Sequence, residues 1–137
     1  MPDLYPIPIQ QDATLISNSA ALPNAANTVN TTAIDLGATT PYPTTGRFIA
    51  QLVTTQSTGA NSKNINIAIA DSADNSTFTN IAVLGTKVIA GNAANYPASN
   101  TNFALPPSTR RYIRATALGE ANGGNASDGT FTLKLLF

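Results

Sequence analysis

The stretch Phe103-Ala104-Leu105-Pro106-Pro107-Ser108-Thr109-Arg110-Arg111-Tyr112-Ile113-Arg114-Ala115-Thr116-Ala117 decides how the chain folds. Each ring of the proline pair fixes φ at about −65° and removes an N–H donor, so the chain runs extended and then turns. Ser108 and Thr109 complete the turn chemistry. An alternating run follows. Arg111, Ile113, Ala115 and Ala117 project to one side, and Tyr112, Arg114, Thr116 and Leu118 to the other. Such a strand is half buried and half displayed. Three of the chain's seven basic residues, Arg110, Arg111 and Arg114, fall within five positions here. With Tyr112 they are the first candidates for a contact surface.

The same period recurs on either side. In Lys63 to Ala70, Ile65, Ile67 and Ile69 face one way, and Asn64, Asn66, Ala68 and Ala70 the other. Phe131, Leu133, Leu135 and Phe137 share a face of Thr130 to Phe137, a strand apolar enough to be central or well covered. Gly46 to Val53 is apolar on both sides and is expected to be buried on both faces. Further strands are expected over Thr31 to Gly37, Phe78 to Leu84, Thr86 to Ala90 and Phe103 to Leu105. Asp71 to Thr77 is a turn cluster, and Gly119 to Gly129 a hairpin loop rich in glycine and asparagine. No helical period of 3.6 is sustained over about 11 residues anywhere. About eight short strands with turn signals between them mean an all-β chain, an antiparallel sandwich or barrel. Its inner face is expected to hold Phe48, Leu52, Ile65, Ile67, Ile69, Phe78, Ile113, Leu133 and Leu135.

The N-terminal part reads differently. Pro2, Pro6 and Pro8 forbid a central strand in Met1 to Gln11, yet Leu4, Tyr5, Ile7 and Ile9 form an apolar cluster. Ala13 to Ser17 has room for a short strand, and Ser17 to Thr28 reads as a loop. The expected division is an extended arm and loop over 1–30 and a sandwich domain over 31–137. A proline-stiffened segment loses little entropy on docking, so the arm is expected to lie along a neighbouring subunit or other partner. Folding back as an extra edge strand is the alternative.

Composition narrows the function. The chain has 137 residues, enough for one domain with its own core. There is no cysteine and no histidine, which removes thiolate metal sites and the commonest general base. Seven basic residues balance seven acidic ones, which argues against nucleic acid or an anionic membrane as partner. A surface this neutral favours association. No apolar run approaches the ~18 residues of a membrane span. Met1 to Leu4 shows no basic n-region or apolar h-region, so no signal peptide is expected.

Each candidate constellation has a plain alternative. Asp71 with Asp74 is a carboxylate pair only if both leave the turn that holds them. With Asn75 they offer oxygen ligands for a hard cation, but the spacing lacks the closing bidentate glutamate of an EF loop. An Asx-type turn accounts for both. Asn30, Asn75 and Asn125 match the glycosylation acceptor pattern, as chance dictates in a chain rich in Asn, Ser and Thr. No enzyme activity, cofactor or metal is expected. Arginine and tyrosine are enriched as interface anchors, so Arg110, Arg111, Tyr112 and Arg114 point to a protein partner.

Three motifs stand in order along the chain: Thr32-Ala33-Ile34-Asp35-Leu36-Gly37, then Ile67-Ala68-Ile69-Ala70-Asp71-Ser72-Ala73-Asp74-Asn75 with Phe78, then Phe103-Ala104-Leu105-Pro106-Pro107 followed by Arg111-Tyr112-Ile113-Arg114. They resemble those of the small cement (decoration) proteins of tailed-bacteriophage heads. The order of the motifs is similar to the family's, and the resemblance spans about Thr31 to Phe137. Ser108 stands where the family often has glycine. The resemblance implies a jelly-roll β-sandwich on the outer surface of the virion, made in the host cytoplasm. Its implied partners are the major capsid protein and its own copies, a trimer ahead of a dimer, with no cofactor, nucleic acid or membrane. The competing reading is a ligand-binding sandwich, such as a carbohydrate-binding module or a phage fibre or tip domain. Sugar binders present aromatic platforms; here there is no tryptophan, and Tyr42 and Tyr96 neighbour prolines in loops.

Overall fold

A computed structural model describes residues 15–37, 49–58, 63–91, 95–121 and 124–136. Phe48, expected in the core, and the strand start at Gly46 lie outside these residues, as do Leu4, Tyr5, Ile7 and Ile9.

The strands in chain order are β1 (Ala20–Ala21), β2 (Thr28–Asn30), β3 (Ile34–Asp35), β4 (Ile49–Thr54) and β5 (Asn64–Ser72). After them come β6 (Thr79–Asn80), β7 (Thr86–Ala90), β8 (Ser99–Ala104), β9 (Tyr112–Gly119) and β10 (Thr130–Leu136). A single 3-10 turn, Ala82–Leu84, separates β6 from β7. All pairings are antiparallel, and they make two sheets. One sheet has the order β1-β10-β4-β8. The other is centred on β9-β5, with β2 and β3 along the outer side of β9 and β6 and β7 along the outer side of β5. The two sheets pack face to face as a β-sandwich.

The alternation predicted from sequence sets the core. Ile65, Ile67, Ile69, Ile113, Ala115 and Ala117 from one sheet meet Leu52, Phe131, Leu133 and Leu135 from the other, all buried. β10 is central, as its apolar face requires: β1 lies on one side and β4 on the other.

Several expectations need correction. The boundary at residue 30 falls too late. Ala20 pairs with Phe131, Val29 pairs with Ala117, and Ile16 bridges to Lys134. Leu22 is only 1% exposed, and its N–H donates to the Gly129 carbonyl at 2.9 Å. Residues 16–30 therefore belong to the sandwich. Their strands are two or three residues long, too short for a period to show. β4 buries one face, not both: Ala50, Leu52 and Thr54 are inside, while Ile49, Gln51 and Val53 are half-buried. Phe78 to Leu84 is not one strand, because Gly85 takes φ of 67° and the chain coils through the 3-10 turn before β7. Phe78 itself is half-buried outside the core, beneath Arg114. The turn expected from Asp71 begins later, since Asp71 and Ser72 complete β5.

Two expected outcomes check this architecture by chemical denaturation. Leu22→Ala is expected to cost about 2–5 kcal/mol, the same range as Ile67→Ala, because both leave cavities in one core. A loss near zero at Leu22 would return residues 16–30 to the status of a loop. Gly119→Ala is expected to destabilise as well, since its Cβ would stand 2.0 Å from the Ala25 carbonyl oxygen.

Candidate functional site

The alternation of β9 turns Tyr112, Arg114, Thr116 and Leu118 to the outer face of the six-stranded sheet. β5 adds Asn66, Ala68 and Ala70, and β7 adds Thr86 and Val88. Register aligns these in cross-strand rows. Leu118, Asn66 and Val88 form one, Thr116, Ala68 and Thr86 the next, and Arg114 lies opposite Ala70. Leu118 and Val88 are 45% and 46% exposed, apolar groups facing water from neighbouring positions. Ala68 and Ala70 are small and sit low between larger neighbours, both buried.

One end of this sheet is closed by charge. Asp71, at the end of β5, accepts from the Arg110 backbone N–H at 2.9 Å and from the guanidinium at 2.9 and 2.6 Å. The Arg110 guanidinium also donates to the Asp71 carbonyl at 2.7 Å. The Asp71 side chain is only 11% exposed. This pair raises the Arg110 pKa, first through the hydrogen bond to Asp71. The Pro106–Thr109 turn aims Arg110 here: the Thr109 N–H and hydroxyl both donate to the Pro106 carbonyl, at 3.0 and 2.7 Å. Arg111 makes a two-pronged pair with Asp35 of β3, 2.8 Å on each arm, and lies 5.1 Å from the Tyr112 ring centroid. The Arg111 guanidinium, with the Gly37 N–H as second donor, holds the Asp35 carboxyl down to about 2.

Arg114 differs. Its guanidinium carbon lies 4.0 Å from the Phe78 ring centroid, a cation–π contact. Its Nε is enclosed with no hydrogen-bond acceptor. Burial alone pushes its pKa down.

The predicted contact residues thus separate. Arg110 and Arg111 have carboxylate partners within the chain. Tyr112 and Arg114 are the two that face outward with Leu118. Sequence reading missed Phe78 as the arginine's platform and Val88 as part of the face. Leu118 was visible in the alternation, and Val88 follows once β5 and β7 are set in register.

The remaining described carboxylates are engaged in loops. Asp74 accepts from the Thr77 and Ser76 N–H groups and the Ser72 hydroxyl, which hold its carboxyl well below the usual range. Asn75, at φ 60°, completes this Asx-type turn. Asp71 and Asp74 therefore diverge to separate partners. Asp128 accepts from the hydroxyls of Ser57 and Thr58 and from the Thr58 N–H, which depress it likewise. Glu120 accepts from the Asn64 N–H at 3.0 Å. Tyr96, weighed as an aromatic platform, is 1% exposed and exchanges backbone hydrogen bonds with Ser57. Among the described residues no helix is long and apolar enough to cross a membrane.

No protein-family model matches the chain, and no curated protein matches it either.

Asp35, Asp74 and Asp128 are all depressed in the folded state, so their stabilisation is present above the unfolded carboxylate value of about 4. It is lost as pH falls, through about 2 for Asp35 and lower for the other two. Melting temperature is expected to fall from pH 4 towards pH 2, and Asp35→Asn is expected to flatten that limb. An unchanged slope in the variant would remove Asp35 from the account. Arg110→Ala leaves the Asp71 carboxylate short of its main donors and is expected to cost about 1.5–3 kcal/mol in a denaturant titration.

Proposed function

We propose that the chain is a structural cement (decoration) protein of a tailed-bacteriophage head, bound to the outer surface of the assembled major capsid protein. One observation carries this reading. The three motifs that resemble the family are far apart in the chain, yet they meet at one end of the six-stranded sheet. Asp35 of the first pairs with Arg111 of the third. Asp71 of the second pairs with Arg110, and Phe78 with Arg114. Residues that recur together in sequence are here residues that hold one another in place, so the likeness has a physical unit behind it.

The strand order supports the jelly-roll form of the sandwich. Counting β2 with β3 and β6 with β7 as single interrupted edges gives eight strands. In that count one sheet reads 1-8-3-6 and the other 2-7-4-5, the order that a jelly roll of two Greek keys would have. The surface chemistry points the same way. Every described carboxylate is tied to a loop or an arginine, which suits a chain that binds and stiffens rather than reacts. The outer sheet face, neutral except for Arg114, suits contact with protein. In this reading the chain acts as a closed homo-oligomer, a trimer first, on the virion exterior. Burial of Tyr96 weighs against the sugar-binding alternative.

Heads assembled from a tailed-phage major capsid protein provide the test. The purified chain is expected to cosediment with expanded heads to a saturating ratio, to ignore unassembled subunits, and to raise the temperature at which heads break. Absence of cosedimentation, or saturable glycan binding in its place, would sink the proposal.

A further inference from the structure

We propose that the outer face of the six-stranded sheet receives the N-terminal segment, residues 1–14, of a second copy of the chain, with Arg114 pairing a carboxylate of that segment. This rests on the homo-oligomer of the preceding section and not on the capsid.

The first ground is the orphaned donor. An arginine has five N–H donors in a planar fork. Phe78 covers one face of the Arg114 guanidinium and supplies no acceptor. Nε is enclosed without a partner, so an incoming carboxylate would meet the terminal N–H groups of this half-buried side chain. Among the described residues the ion pairs are Arg110–Asp71 and Arg111–Asp35, and Arg114 forms none.

The second ground is what remains of the chain's acids. The other two acids, Asp3 and Asp12, lie outside the described residues and flank Leu4, Tyr5, Ile7 and Ile9 in the sequence. The receiving face has the complementary set: one cation beside the exposed aliphatic groups Leu118 and Val88. Pro2, Pro6 and Pro8 lack N–H donors, so the segment is unsuited to extending a ladder at a sheet edge. Lying across a face makes no such demand.

The third ground is direction. The described chain enters the sandwich on the four-stranded sheet, where Ile16 bridges to Lys134 of β10. That sheet lies opposite the receiving face. A neighbour presents that face without the segment having to round its own sandwich.

Charge exchange in the full chain tests the pairing, with self-association followed by analytical ultracentrifugation. Arg114→Glu alone, and Asp3→Lys with Asp12→Lys, are each expected to weaken association by about tenfold or more. Combining all three changes is expected to recover it. Leu118→Asp, an exposed position on the same face, is expected to weaken association while far-ultraviolet dichroism stays unchanged, which covers the case in which Arg114→Glu fails to fold. A wild-type chain that stays monomeric, or a triple variant that recovers nothing, overturns the proposal. A benzophenone crosslinker at Tyr5, in a mixture of light and isotopically heavy chains, reports the donor. Light–heavy crosslinks to β5, β7 or β9 are expected; crosslinks only within one chain would mean that the segment serves its own subunit, and the proposal fails. Head cosedimentation scored on the same variants separates this outcome from failure of the capsid reading, because loss of self-association with retained head binding rejects only the present inference.

Discussion

The pairing of β5 with β9 is the constraint on which the structure depends. It runs unbroken through eight residue pairs, from Ile65 with Gly119 to Ser72 with Tyr112. Both outer strand groups of the larger sheet hang from it, β2 and β3 on β9, β6 and β7 on β5. A slip of one residue would turn three isoleucines out to water. It would also draw Arg110 away from Asp71. That ion pair closes the end of the ladder and discriminates the correct register from its neighbours, a use of partly buried charge that does not depend on large net stabilisation.

Much of this was legible because period-2 alternation is a local signal. Ile65, Ile67 and Ile69 announce an inner face without reference to any other strand. Edge elements send no such signal. Ala20, Leu22 and Val29 sit among Asn, Ser and Ala, and their strands are shorter than one readable period. The arginine cluster was legible as a cluster but not as a set of three different roles. Asp71 lies 39 residues from Arg110, and Asp35 lies 76 from Arg111. Nothing local in the sequence says which acid reaches which base; only the register of β9 against β3 and β5 decides it. Phe78 misled for a related reason. An aromatic after a turn reads as core, whereas here the hairpin carries it over the outside of the sheet.

A chain with so few charges holds its loops by other means. Asn18 and Thr32 exchange hydrogen bonds, each backbone N–H donating to the other's side-chain oxygen at 2.9 and 2.8 Å. Thr54 and Ser99 link β4 to β8 through their hydroxyls at 2.8 Å. Thr116 donates to Asn30 across β9 and β2 at 2.8 Å. Short neutral side chains satisfy backbone groups where strands are interrupted, and they leave the net charge untouched.

The central place of β10 has a consequence for the order in which the molecule is made. Among the described residues β1 has β10 as its only strand partner, and β4 needs it on one side. A nascent chain emerging from the ribosome would display β1 and β4 long before the strand that joins them exists. The described strands of the larger sheet are all present once β9 is out, but the smaller sheet has no centre until β10, which follows every other described strand, has emerged. Closure is therefore a late event, and it brings together segments more than a hundred positions apart, as Leu133 bonding Ser17 illustrates at a separation of 116. Loop-closure entropy makes such a step slow. In the interval the apolar inner side of the larger sheet is uncovered, and a cell making this protein in quantity would have to shelter it.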